Sequence, residues 1–141
     1  MAILLDTGFY LGLTHPKDEY HEQSINLLTV LKTGKYGQVF TSNFIMAESA
    51  TIVALRTKNN LQAIQTIREF FFGTGQIAIM LRLNEDIERE IWPIFQKINT
   101  PPSKKVVSFV DCANIVLCRY YSIEHILSYD PHFDGFLSRI C

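Results

Sequence analysis

The residues of this sequence best suited to chemistry are carboxylates. Of its fourteen Asp and Glu, Glu19, Glu22, Glu69, Glu85, Asp86, Glu88 and Glu90 lie in polar helical stretches where solvation accounts for them. Four others stand among apolar neighbours, where a charge needs a partner. Asp6 ends the run Ala2-Ile3-Leu4-Leu5. Glu48 lies four residues after Phe44 and three after Ile45, on their side of a helix. Asp111 follows Ser108-Phe109-Val110 and opens the apolar run Cys112 to Cys118. Asp130 ends Ile126-Leu127-Ser128-Tyr129, with Asp134 four residues beyond it. Each has a structural reading as well. Asp6-Thr7-Gly8 and Asp130-Pro131 suit turns. Ser108-x-x-Asp111 resembles a capping box, and Glu48 fits the edge of its apolar stripe. Taken together, two acids end strands and two occupy early turns of helices, positions that converge on one edge of a parallel sheet. Carboxylates held close repel one another, and a hard divalent cation such as Mg²⁺ or Mn²⁺ relieves that repulsion through oxygen ligands. His15, His21, His125 and His132 are scattered and read as solvated or structural, and no Cys/His set has zinc-ligand spacing.

The elements that must position these acids are legible in the hydrophobic pattern. Short apolar runs at 2–5, 39–41, 77–81 and 125–129 predict strands, the first buried on both faces. Helices are predicted over Tyr20–Leu31, from a Ser42 or Asn43 cap to Thr57, over Leu61–Phe72 ended by Gly73, over Asn84–Ile98 with a kink or break at Pro93, and over Ser108–Tyr121. A loop spans 101–105, and a short element closes the chain. Strands alternating with helices argue for an α/β fold with a parallel sheet. Phe70, Phe71 and Phe72 cannot all face one side of a helix, so at least one is expected at the surface.

Length and composition set the frame. The 141 residues suit a single domain over 1–141, with 48% hydrophobic residues to build its core. A net charge of −1 excludes a strongly basic nucleic-acid binder but leaves room for a site whose positive charge comes from metal ions. Three cysteines, Cys112, Cys118 and Cys141, are read as thiols of a reducing compartment. With neither a signal-peptide pattern nor an apolar run of about 20 residues, the expectation is a cytoplasmic protein without a membrane segment.

The four motifs Leu4-Leu5-Asp6-Thr7, Ser42-Asn43-Phe44-Ile45-Met46-Ala47-Glu48, Ser108-Phe109-Val110-Asp111-Cys112-Ala113-Asn114-Ile115 and Ser128-Tyr129-Asp130-Pro131-His132-Phe133-Asp134 resemble, in this order, those of the PIN domain family, and within it the small VapC-type toxin ribonucleases. The resemblance covers the whole chain. It implies a three-layer α/β/α, Rossmann-like fold with an acidic pocket, and Mg²⁺- or Mn²⁺-dependent endonucleolytic hydrolysis of RNA. Asp6, Glu48, Asp111 and Asp130 would be the catalytic and metal-binding acids, with Asp134 a lower-ranked ligand. Thr7 or Ser108 would support the pocket by hydrogen bonding, and Lys17, Arg56, Lys58, Lys104 and Lys105 are candidates to position RNA. The cation would activate water and offset charge on the phosphorus centre, so no protein nucleophile is needed. An antitoxin partner and a homodimer are also implied.

Two other classes compete. A non-catalytic RNA- or protein-binding module on the same fold would retain RNA without metal-dependent cleavage. An aspartyl-phosphate protein, phosphatase or receiver, would need further acids near Asp6, and Asp6-Thr7-Gly8 lacks them.

Overall fold

The computed structural model describes residues 1–102 and 105–141. Five strands form one wholly parallel sheet: β1 (Ala2–Leu5), β2 (Gln38–Ser42), β3 (Ile79–Leu81), β4 (His125–Leu127) and β5 (Ser138–Ile140). Their spatial order is β3-β2-β1-β4-β5. Six helices flank the sheet in a three-layer α/β/α arrangement: α1 (Thr7–Thr14), α2 (His21–Lys32), α3 (Asn43–Arg56), α4 (Leu61–Phe72), α5 (Glu85–Ile98) and α6 (Phe109–Tyr120).

β1 is the centre of the sheet, and its Ile3, Leu4 and Leu5 are fully buried, as an uninterrupted apolar run requires. Its two neighbours come from different halves of the chain. β2 follows it on one side, whereas β4 returns to the other side after α5 and α6. The chain therefore reverses direction across the sheet at β1. In open parallel sheets such a switch point leaves a crevice at the carboxyl ends of the strands. Asp6 follows β1, and Ser128 to Asp130 follow β4, so both segments end at that crevice.

The predicted strands and helices form with boundaries shifted by a residue or two. Three differences have physical reasons. Residues 7–14 form α1, where Asp6-Thr7-Gly8 suits a turn by sequence. Asp6 occupies its N-cap position but makes no side-chain cap bond, because its carboxylate is engaged elsewhere. Gly12 lets α1 lie against α2: a Cβ there would sit 2.1 Å from Ser24 Oγ, inside contact distance. α5 passes through Pro93 without a break. Pro93 and Arg89, whose carbonyl loses its partner to the missing N–H, are both exposed, so water can satisfy that carbonyl. The third difference is an addition: the closing element is a 3-10 turn over Pro131–Phe133 followed by β5.

Of the three adjacent phenylalanines, Phe71 is buried and Phe72 is 53% exposed, as helical geometry demands. Cys112 and Cys118 are buried free thiols, while Cys141 is exposed. Among the described residues no helix is long and apolar enough to cross a membrane.

Candidate active site

Asp6 is the most confined acid, 6% exposed. Its Oδ1 accepts from Asn114 Nδ2 at 3.1 Å and its Oδ2 from Ser128 Oγ at 2.7 Å. Asn114 comes from the middle of α6 and Ser128 from just beyond β4, so the carboxylate is clamped from two elements. Burial pushes its pKa up to about 7, and the nearby Asp111 and, more weakly, Glu48 push the same way. The Ser128 hydroxyl and the Thr7 N–H oppose them. Two directed donors thus fix the geometry of Asp6 without fully relieving its charge.

The other three acids come from two helices and from the segment beyond β4. Ser42 caps α3 by accepting from Ile45 N, and Glu48 follows nearly two turns later, its Oε2 taking a 2.5 Å hydrogen bond from Thr7 Oγ1. Ser108 caps α6 by accepting from Asp111 N, so capping and pocket lining coexist at Asp111. Burial raises the Asp111 pKa, the neighbouring His132 partly offsets this, and Glu48 and Asp130 add to the rise. Asp130 is placed by Ser128, whose Oγ accepts from Asp130 N at 3.1 Å. All four acids line one open cavity of about 420 Å³ at the carboxyl edge of the sheet. Asp18 and Glu19 lie at another part of its rim, beside a stacked Tyr20–Tyr129 pair with ring centroids 4.1 Å apart.

His132 joins two of these acids. Its Nδ1 lies 2.6 Å from Asp130 Oδ1 and its Nε2 2.9 Å from Asp111 Oδ2, although Nε2, buried, has no partner aligned for a hydrogen bond. Ligand atoms of Asp111, Asp130 and His132 all fall within 4.8 Å of one another, a spacing one cation can bridge. Asp134 is elsewhere: Arg139 grips it with Nε at 2.7 Å and Nη2 at 3.1 Å, and it does not line the cavity. Lys105 lines the cavity, as does Arg56. Lys104 lies outside the described residues.

Three participants escaped the sequence reading. Asn114 left a signal, an amide inside an otherwise apolar helical run. Ser128 left a weaker one, two residues before a strand-end Asp. His132 left none beyond its nearness to Asp130, since its contact with Asp111 spans the fold.

A VapC ribonuclease of Archaeoglobus fulgidus is 27% identical over 133 residues, spanning 94% of this chain and 80% of the relative. The crystal structure of Mycobacterium tuberculosis VapC20, described as a toxin that cleaves the sarcin-ricin loop, matches with a TM-score of 0.76 at 22% identity, covering 96% of both chains. The chain has the PIN-domain fold, and its sequence is similar to that of a VapC ribonuclease. FitAcB of Neisseria gonorrhoeae shares the PIN-domain fold at a TM-score of 0.62 and 18% identity, over 99% of this chain and 96% of its own. A structure of FitAB bound to a DNA fragment matches at 0.65 and 17% identity, over 98% and 93%. No protein-family model matches the sequence.

Within this fold, Ser128 carries the two hydrogen bonds that join Asp6 to Asp130. Ser128→Ala should destabilise the protein by about 1–3 kcal/mol, the range for leaving buried polar groups unpaired. The loss should be larger at about pH 8 than near pH 5, because protonating Asp6 removes the charge the hydroxyl supports. Urea denaturation at the two pH values measures both; an equal loss at each would detach Ser128 from the ionisation of Asp6.

Proposed function

We propose that this chain is a Mg²⁺- or Mn²⁺-dependent endoribonuclease, the toxin of a toxin–antitoxin pair, hydrolysing RNA phosphodiester bonds at Asp6, Glu48, Asp111 and Asp130. The observation that carries the proposal is the cavity itself. Four acids from separate elements converge there, and the most buried has its pKa pushed to about 7. A fold gains nothing in stability from confining like charges, so the arrangement points to a cation. The donors are mostly hard carboxylate oxygens, matching Mg²⁺ or Mn²⁺ rather than zinc, and the unaligned His132 Nε2 adds a donor at the same place.

When bound, such a cation supplies Lewis acidity, offsetting phosphate charge and lowering the pKa of water. The chain's own residues do the positioning. Asn114 and Ser128 hold the carboxylate of Asp6 in one orientation, and Thr7 does the same for Glu48. The aliphatic hydroxyls of the cavity, Thr7 and Ser128, each donate to a carboxylate and hold it in place, and in this reading the attacking group is water. The ribonuclease name of the archaeal relative and the toxin description of VapC20 support RNA as substrate. The FitAB likeness supports an antitoxin partner. Homodimerisation and a cytoplasmic location belong to the same reading.

The test is incubation of the purified protein with a panel of RNAs in Mn²⁺, Mg²⁺ or EDTA. Cleavage products are expected with a divalent metal and none in EDTA. Undiminished cleavage in EDTA would sink the metal site. RNA bound but uncut under every metal condition would turn the reading to a non-catalytic binding module.

A further inference from the structure

A second cavity adjoins the acidic one and shares Arg56 with it. It is a cleft of about 610 Å³ between the end of α1, the α3–α4 turn and the first turns of α4. Its charge is opposite. His15, Lys17, Arg56 and Lys58 line it and no Asp or Glu does, with Asn60 and Gln62 adding amides. In a chain of net charge −1, this is a segregated basic surface. Arg56 lines both cavities and so marks the passage between them. Its Nη1 reaches Asp18 Oδ2 at 3.3 Å, the one hydrogen bond it makes among the described residues, and a guanidinium has five N–H donors. The turn that presents Lys58 is held in an unusual shape: Lys58 and Asn59 both adopt left-handed backbone, at φ 54° and 59°. Backbone bonds from Asn59 N to Ala54 O and from Thr57 N to Val53 O keep it there. Non-glycine residues in that region are uncommon and cluster where function requires the geometry.

Arg and Lys recognise phosphate oxygens, and contacts of this kind set the register of a nucleic-acid strand. We propose that the cleft is the track for the RNA backbone on one side of the scissile phosphate, with Arg56 contacting the strand where it leaves the acidic cavity. The proposal rests on the ribonuclease reading above and adds where the rest of the substrate lies. An acidic peptide would match the charge of the cleft, but only a continuous phosphodiester chain has reason to occupy the cleft and the adjoining catalytic cavity together.

The test follows binding of a fluorescein-labelled single-stranded RNA by anisotropy, in EDTA, across a salt series, and cleavage of the same RNA in Mn²⁺. Lys17→Gln/Lys58→Gln is compared with Lys32→Gln/Lys97→Gln, which removes the same charge from exposed positions of α2 and α5. The cleft variant should bind RNA about 5–20-fold more weakly, and its slope of log K against log salt should flatten by about 1.4, near 0.7 for each lost single-strand contact. In cleavage, KM should rise while kcat holds. The control pair should change binding less than about twofold. Wild-type protein that does not bind the RNA, cleft variants that bind as wild type, or equal weakening in both pairs would overturn the proposal. Loss of poly-glutamate binding in the cleft variant, with RNA binding unchanged, would reassign the cleft to an acidic protein segment. Asp111→Asn tests the parent reading separately. Cleavage surviving that change would remove the catalytic site, while the EDTA binding data would still report on the cleft.

Discussion

Asp6→Asn is expected to lower RNA cleavage by about 10²–10³-fold, the scale for deleting one preorganised electrostatic group, while making the metal-free protein more stable. The two effects share a cause. A carboxyl whose pKa rises from 3.8 to about 7 on folding is destabilised as an anion by roughly 4 kcal/mol once both states are ionised. An amide of the same shape escapes that cost. It also fits the hydrogen bonds on hand. Ser128 can still donate to its oxygen, and Asn114, whose own Oδ1 lacks a partner, can rotate its amide to accept from the new N–H. A gain of about 1–3 kcal/mol at about pH 8 is the expected outcome, since the new amide bonds recover only part of the charge penalty. The gain should shrink as pH falls from about 7 towards about 4, because the folded Asp6 is then protonated and the penalty on its anion fades. Denaturant titration at the two pH values, beside cleavage assays, measures both effects. A less stable Asp6→Asn at the higher pH would show that the charge is not strained, and undiminished cleavage would remove Asp6 from the site.

The second large effect is a reversal of pH dependence by metal. Without a cation, the raised pKa of Asp6 means that the folded state binds more protons than the unfolded state between about pH 4 and 7. Stability therefore falls as pH rises through that window, and the full penalty applies above it. Asp111, also raised by burial, acts with the same sign. A divalent cation binds the ionised carboxylates, so its contribution grows with pH. At a hundredfold excess over Kd it adds about 2.7 kcal/mol, or roughly 5–10 °C in Tm for a domain of this size. Mn²⁺ should therefore raise Tm by that amount near pH 8 and by much less near pH 5, and Asp111→Asn should abolish most of the shift. Equal shifts at both pH values, or an undiminished shift in Asp111→Asn, would place metal binding elsewhere on the molecule.

The two effects draw differently on what the chain displays in one dimension. Asp6, Glu48, Asp111 and Asp130 were legible because each violates its local setting. A charge ends a fully apolar strand, or sits at the edge of an apolar helix, and the cost of burying it marks it out. The strands and most helices were legible because apolar periodicity and caps are local: Ser42, Asn60, Asn84 and Ser108 all accept from the backbone three residues on. α1 was hidden by Thr7-Gly8, which suits a turn equally well. Only packing against α2, α3 and α4 selects the helix.

The order of the strands belongs to the tertiary structure alone. Periodicity states that a segment is a strand but not which neighbour it takes. β4 pairs with β1 across more than a hundred residues of intervening chain, and that pairing brings Ser128 onto Asp6 and His132 onto Asp111. The Ser128 bond to Asp6 and the His132 contact with Asp111 follow from it, whereas the basic cleft rests on the packing of α1 against α3 and α4. Whether a carboxylate is poised or merely solvated depends on the donors, charges and water around it, and those are set by elements distant in the chain. The sequence by itself determined that Asp6 is a charge out of place; the pairing of β1 with β4 decided what holds it there.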